Sequence, residues 1–426
     1  MGVFEKMLAQ SSRKPSGLHG VLERRAKKRD PMLRTSTTGL TSHLWELELV
    51  PAFGLIRLCD DIDQLAERTL DRNIFFESPV LRAAWPRLTS LMAPRGAWML
   101  CLWESTGKGR SLRLFMPVRL HKIGFPGQMV LQTLANHYMP VGTPMIDSDC
   151  AEEAAEILLR LLADPVLKLP QVVDFTWQRD GGASYRVLQQ AAGNLGLASI
   201  RNQAHERAAL FPDPADGDKP KPPLSKKRMR ELARQLRKLD ESGATEFKCA
   251  QTTESVMDAI EGFMTLELKG WKGRKGTALY NQKKIAAFSR QIVAELASKN
   301  HCEIFALYQN DKPIASLIML GREGYLVPWK MAFDERLSAH SPGMQVMVNT
   351  TMLLQQRPGF IEADSLAIAD HVMMNRVWSD RIGIADLTVS VSPKGTSRLQ
   401  KVVKSKQHTA KLRRTAKAVL AKLPSR

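Results

Sequence analysis

The stretch 266–281, LELKGWKGRKGTALYN, sets Trp271 among four cationic side chains and three glycines. Glycines at 270, 273 and 276 make such a connection pliable. Trp271 offers a ring that could stack on a sugar or cap a cleft, and Lys272 an ammonium for an anionic group. A nucleic-acid patch would interleave several aromatics with base-reading groups, and only Trp271 and Tyr280 are present. The plain alternative is a solvated loop whose tryptophan plugs the edge of the core. A second constellation is the Ser-Pro-Gly run at 341–343. Ser341 can cap a helix, Pro342 suits its first turn, and Gly343 lets a ligand approach the backbone. Together with Met344 and Gln345, this turn would offer free N–H groups to an anion, unless it is simply a well-capped helix start.

The elements that must position these residues show in the hydrophobic period. After a proline-broken linker, Met229, Leu232, Leu236 and Leu239 recur at helical spacing behind Ser225, a plausible N-cap, with a basic opposite face. Two further helices are predicted over 255–268, with a Ser255/Asp258 capping box, and over 283–298. CEIFALY, PIASLIML and GYLVPWKMAF then alternate as strands, followed by helix, strand, short helix and strand. Nearly the same list of elements precedes residue 210. The chain therefore reads as a duplicated α/β unit: a basic, disordered segment 1–43, one unit at 44–215, a second at 216–392, and a basic tail at 393–426.

Charge and cysteines narrow the function classes. Net charge is +19, but residues 1–43 hold nine Lys/Arg against three Asp/Glu and residues 393–426 hold eleven against none, which leaves +2 for the rest. A dedicated DNA-binding domain would carry its basic stripe on the folded body. Cysteines 59, 101, 150, 249 and 302 are far apart, without the spacing of a zinc site or a disulfide framework, so no metal is expected and a reducing cytoplasm is. No segment reads as a membrane span. Val402, Val403, Leu412, Ala416, Leu420 and Leu423 among the tail's cations would let part of it lie as an amphipathic helix on anionic lipid at the inner face of the membrane, the plainer alternative being a solvated, disordered tail.

FFESPVLRAAW, LELKGWKGRKGTALYN, YLVPWKMAFDERLSAHSPG and ADHVMMNRVW, in this order, resemble the CelD-like acetyltransferase family, associated with bacterial cellulose and exopolysaccharide synthesis. That family is similar to the Fem peptidyltransferases in carrying tandem GNAT-like domains. The resemblance covers roughly residues 45–392. It implies an α/β (α+β) fold of mixed sheets flanked by helices, and acyl transfer from acetyl-CoA or another acyl-CoA to an amine or hydroxyl of a glycan, its precursor or a small molecule. It also implies that the CoA pyrophosphate lies at the helix start of Ser341, Gly343, Met344 and Gln345. The usual GNAT loop, Q/R-x-x-G-x-G/A, is absent from RLSAHSPGMQ, which leaves an aminoacyl-tRNA donor, as in Fem-type enzymes, as the alternative, and a non-catalytic polysaccharide-binding protein as another.

Acyl transfer needs a base for the acceptor's proton. Glu267 ends the second helix, Asp364 ends a core strand, and Asp370 with His371 starts the next helix. Glu267, Asp364 and His371 are the candidate bases, and His371 is the side chain whose ordinary pKa suits neutral pH. Trp271, Lys272, Asp370 and Lys330, beside Trp329, are the candidate substrate contacts. The competing structural roles are a cap for Asp370 and His371 and a snorkelling edge residue for Lys330.

Overall fold

The computed structural model describes residues 33–38, 44–92, 96–107, 109–124, 127–212 and 222–420. The first half runs β1 (Leu33–Thr38), β2 (Leu44–Pro51), α1 (Cys59–Glu67), α2 (Ser78–Met92), β3 (Ala97–Thr106), β4 (Gly109–Ile123), β5 (Gln128–Thr133), β6 (Met145–Ile146), α3 (Ala151–Leu162), β7 (Val172–Arg179), α4 (Ala183–Asn194) and β8 (Ser199–Leu210). The second runs α5 (Lys226–Glu241), β9 (Thr245–Ala250), α6 (Thr253–Lys269), a single turn α7 (Trp271–Arg274), α8 (Lys283–Ala297), β10 (Cys302–Gln309), β11 (Lys312–Arg322), β12 (Tyr325–Phe333), α9 (Pro342–Gln355), β13 (Glu362–Asp364), α10 (Val372–Val377) and β14 (Asp380–Ser390). A final helix, α11, spans Thr396–Leu420.

All strands but β6 fall on one path, β1-β2-β3-β4-β5-β7-β14-β8-β13-β12-β11-β10-β9, a mixed sheet flanked by helices. The path is nearly a palindrome about its centre. Each half contributes a meander that ends in a parallel pair, β5–β7 and β12–β13, and each parallel contact spans only two residues before the strands part. The last strand of each half crosses over: β14 pairs β7, β8 pairs β13, and β8 and β14 pair each other along most of their length. Strands buried on both faces read as continuous apolar runs, which is why AWMLCLW in β3 shows no polar alternation.

Local chemistry sets the helix ends. Ser225 caps α5 by accepting from the Arg228 amide, as its position predicts. The box on the next helix is formed one turn earlier than expected, by Thr252 with Ser255, so α6 begins at Thr253. Val256, Ile260 and Phe263 then bury its inner stripe.

The terminal segments differ from the sequence expectation. Residues 1–32 and 39–43 lie outside the described residues, but 33–38 form β1, paired antiparallel with β2. In the expected basic tail, α11 docks on the sheet: Leu399, Val402 and Val403 are buried against Ile123, Val130 and Val172. The valines that the pattern offered to lipid are in the core, and burial of each apolar side chain contributes about 1.5–3 kcal/mol. Among the described residues no helix is long and apolar enough to cross a membrane.

Candidate active site

A cleft of about 770 Å³ opens where the two halves meet. The first half lines it with the segment after α1, with Trp177 and Arg179 at the end of β7, and with the start of α4. The second half adds the β11–β12 turn, the start of β12, and Glu362 and Asp364 of β13. Its charges are matched across the junction. Arg179 Nη1 donates to both Glu362 oxygens at 2.5 and 2.6 Å, Arg207 pairs with Asp364, and Arg322 pairs with Glu67 and Glu323 at 2.6 Å each. Arg72 also binds Glu323.

Glu77 is the titratable group in this cleft whose environment suits proton transfer at neutral pH. It is 4% exposed, and burial pushes its carboxyl up to about 7 against the opposing pull of Arg322, 3.8 Å away. Asn73 holds the loop that delivers it: its side chain accepts from the Phe75 amide and donates to the Thr143 carbonyl at 2.8 Å. Sequence reasoning did not single out Glu77, Arg179, Arg207 or Arg322. The signal for Glu77 was its place directly after the apolar run Ile74–Phe76, which goes into the core and takes the carboxyl with it.

Of the sequence-derived candidates, only Asp364 lines this cleft, with Oδ1 accepting from the Leu366 amide at 3.0 Å and Oδ2 held by Arg207. Glu267 belongs to a second cluster. One of its oxygens accepts from Lys272 Nζ and the other from the Leu279 amide, both at 2.7 Å, so the buried carboxylate staples the 270–279 loop to α6. Lys272 therefore points inward, donating also to the Met331 carbonyl at 3.3 Å. Trp271 is 48% exposed, its amide fixed by Glu335 and its ring covered by Lys275. Gly273 is needed for the turn because a Cβ there would stand 1.6 Å from the Leu268 carbonyl oxygen. Lys330 completes the cluster, its Nζ donating to the His137 carbonyl at 3.2 Å and lying 5.2 Å from the Tyr138 ring. Burial, then the Lys272 charge, pulls its pKa down to about 8.

The start of α9 differs from the open anion cradle expected of it. Ser341 is left-handed, with φ 51°, and its side chain makes no capping bond. Gly343 is buried, and a Cβ there would stand 3.1 Å from the Phe333 ring. Gln345 Nε2 donates to the Leu232 carbonyl at 2.8 Å, pinning α5 over this turn. Neither these three residues nor Met344 line the cleft, because the helix start is used to pack β12 and α5 together. His371, not Asp370, caps α10: Nδ1 accepts from the Met374 amide at 3.2 Å, and burial lowers its pKa. Among the described residues no group of three or more His, Cys, Asp or Glu could hold a metal ion.

Residues 226–362 match a family model described as acetyltransferase (GNAT) domain. This stretch of the second half is similar to a GNAT-type acyltransferase domain. The chain is also similar to three solved structures. The C-terminal DUF2156 domain of an Agrobacterium fabrum protein named as a lysylphosphatidylglycerol synthetase shares 11% identity, covering 80% of this chain and 95% of that one, with a TM-score of 0.46. FemX shares 10%, covering 76% and 95%, with a TM-score of 0.41. A tandem GNAT protein from the clavulanic acid biosynthesis pathway shares 10%, covering 82% and 99%, with a TM-score of 0.35. No curated protein sequence matches the chain.

Proposed function

We propose that this chain transfers an acetyl or other acyl group from acyl-CoA to an amine or hydroxyl of a glycan or glycan precursor, in the manner of the CelD-like enzymes of cellulose and exopolysaccharide synthesis. The acetyltransferase-domain match supports the reaction class. The observation that carries the acceptor class is the charge balance of the cleft: five arginines and five carboxylates line it, most of them already engaged with one another. Such a surface presents alternating hydrogen-bond donors and acceptors without a net field, which suits a hydroxyl-rich neutral ligand better than a polyanion. Its volume falls in the range of small-molecule sites, about 300–1,000 Å³.

In this reading Glu77 takes the proton from the attacking amine or hydroxyl as the new bond forms to the acyl carbon, and returns it to the thiolate that departs when the carbon–sulfur bond breaks. A base with pKa near the working pH serves that step best. Asp364 and Glu362, held by Arg207 and Arg179, orient the acceptor. Because α5 covers the start of α9, the donor's acyl end is assigned to the cleft. The test is thiol release from acetyl-CoA with a panel of sugars and amino sugars, alongside calorimetric titration of acetyl-CoA into the full chain. Saturable binding with acceptor-dependent thiol release is expected; no heat and no thiol with any acceptor overturns the reading.

One observation favours a second donor. Lys226, Lys227, Arg228, Arg230, Arg237 and Lys238 of α5 are all exposed, a basic face that would suit the backbone of an aminoacyl-tRNA. Transfer that requires charged tRNA and ignores acetyl-CoA would select it.

A further inference from the structure

A second cavity, of about 350 Å³, lies between β4, β5 and the terminal helix α11. Its electrostatics differ from those of the cleft. Arg119, Lys122, Lys406 and Arg413 line it, with His121, against the single carboxylate of Asp386, which Lys406 already holds at 2.6 Å. Asp174, just behind the wall, also pairs with Lys406 at 2.8 Å, so four cations face two carboxylates and a positive excess remains.

The sheet registers explain how this came about. Asp174 pairs with Gln132 in the last register of the β5–β7 parallel contact, and Asp364 stands one residue beyond the β12–β13 contact, so each half carries an aspartate where its parallel pair ends. In the second half Arg207, on the exchanged strand, closes on Asp364. In the first half the corresponding strand carries Asp386, a second acid, and the cation comes from outside: Lys406 of α11 reaches Asp174 at 2.8 Å and Asp386 at 2.6 Å. Docking α11 for that purpose brings Arg413 and Thr409 over the point where β5 and β7 part, opposite Arg119 and Lys122 of β4. The groove left behind has cations on both walls and the Gln203 amide beside them, while Gln132 is committed to Arg119 and Asp174 and the Thr409 hydroxyl donates to the Ser405 carbonyl.

We propose that this groove is a second ligand site, for a phosphate-bearing group. A phosphate monoester carries about −1.5 to −2 near neutral pH and accepts hydrogen bonds through three oxygens, which matches an excess of cations better than a single carboxylate would. The cavity has room for the phosphate and a small organic moiety. The same chemistry is available from a soluble phosphorylated metabolite or from a phospholipid headgroup; since Leu399, Val402 and Val403 are buried, a lipid surface would meet the cations of α11 and not its apolar stripe. Trp177 lines both this groove and the cleft, so the ligand would sit one side chain away from the transfer site.

The test uses the full chain and the double variant Lys122→Ala/Arg413→Ala. Both side chains are exposed and outside the buried Lys406 cluster, and matching melting curves would show that the fold is retained. Inorganic pyrophosphate is titrated calorimetrically at low ionic strength, and flotation is measured on phosphatidylcholine vesicles with and without phosphatidylglycerol. The parent is expected to bind pyrophosphate saturably, and the variant to bind it about thirtyfold more weakly, roughly fivefold for each cation removed. Flotation with phosphatidylglycerol that the variant loses identifies the lipid source; pyrophosphate binding without flotation identifies the soluble one. Binding of neither probe by the parent, or equal binding by parent and variant, overturns the proposal.

Discussion

Replacing Lys406 by Met removes the cation that pairs with two aspartates from different halves of the chain. Lys406 is 11% exposed, Asp174 fully buried and Asp386 5% exposed by side chain. Gln132 and Thr388 also bond Asp174, and the Trp177 amide bonds Asp386, so both carboxylates keep their hydrogen bonds but lose their counter-charge. Leaving a buried ionic group without its partner costs about 3–5 kcal/mol. Met keeps most of the aliphatic packing, so the loss reports charge and not volume. Denaturant unfolding followed by circular dichroism would read it as a lower midpoint at unchanged slope. The pH dependence carries the sign. Burial raises the Asp386 pKa while Lys406 holds it down, so without the ammonium it rises further. A carboxyl whose folded pKa exceeds its unfolded one loses stability as pH climbs from the ordinary aspartate range to the raised value. The variant should therefore be penalised more at pH 8 than at pH 5, and adding Asp386→Asn should recover much of the loss. A midpoint equal to the parent's at pH 8, or a loss independent of pH, would refute the assignment of Lys406 as the counter-charge.

Three further outcomes follow from the site geometry. Glu77→Gln should lower kcat about 10²–10⁴-fold and abolish the rise in rate through about pH 7, while at pH 8 the variant should be more stable than the parent, because it no longer ionises a buried carboxyl; pH–rate profiles and melts check both. Gly273→Ala forces a Cβ into the Leu268 carbonyl, a backbone atom that cannot step aside, and should cost about 3 kcal/mol, the upper end for overpacking, with Trp271 emission shifting as the loop releases. Lys330 should react with acetic anhydride in competitive labelling with an apparent pKa of about 8; titration in the ordinary lysine range by mass spectrometry would contradict its burial between Tyr138 and Trp329.

What the chain's order of residues determined was local and periodic. The apolar stripes of α6 and α8, the strand patterns of β3 and β10–β12, the Ser225 cap and the repeated list of elements were legible because each depends on neighbours within a few turns. Whether an acid is a base, a staple or a cap was decided only by tertiary structure. Glu267 and Glu77 are both carboxylates at helix ends; one meets Lys272 and a backbone amide and is fixed as an ion pair, while the other follows three apolar residues into the junction and is pushed toward neutrality. Lys406 looked like any cation of a solvated tail, since its partners lie on β7 and on a strand exchanged between halves, and no window of sequence holds all three. Long-range charge pairing and the crossing of β8 and β14 have no periodicity to betray them, because their energy depends on which residues the fold brings together in space.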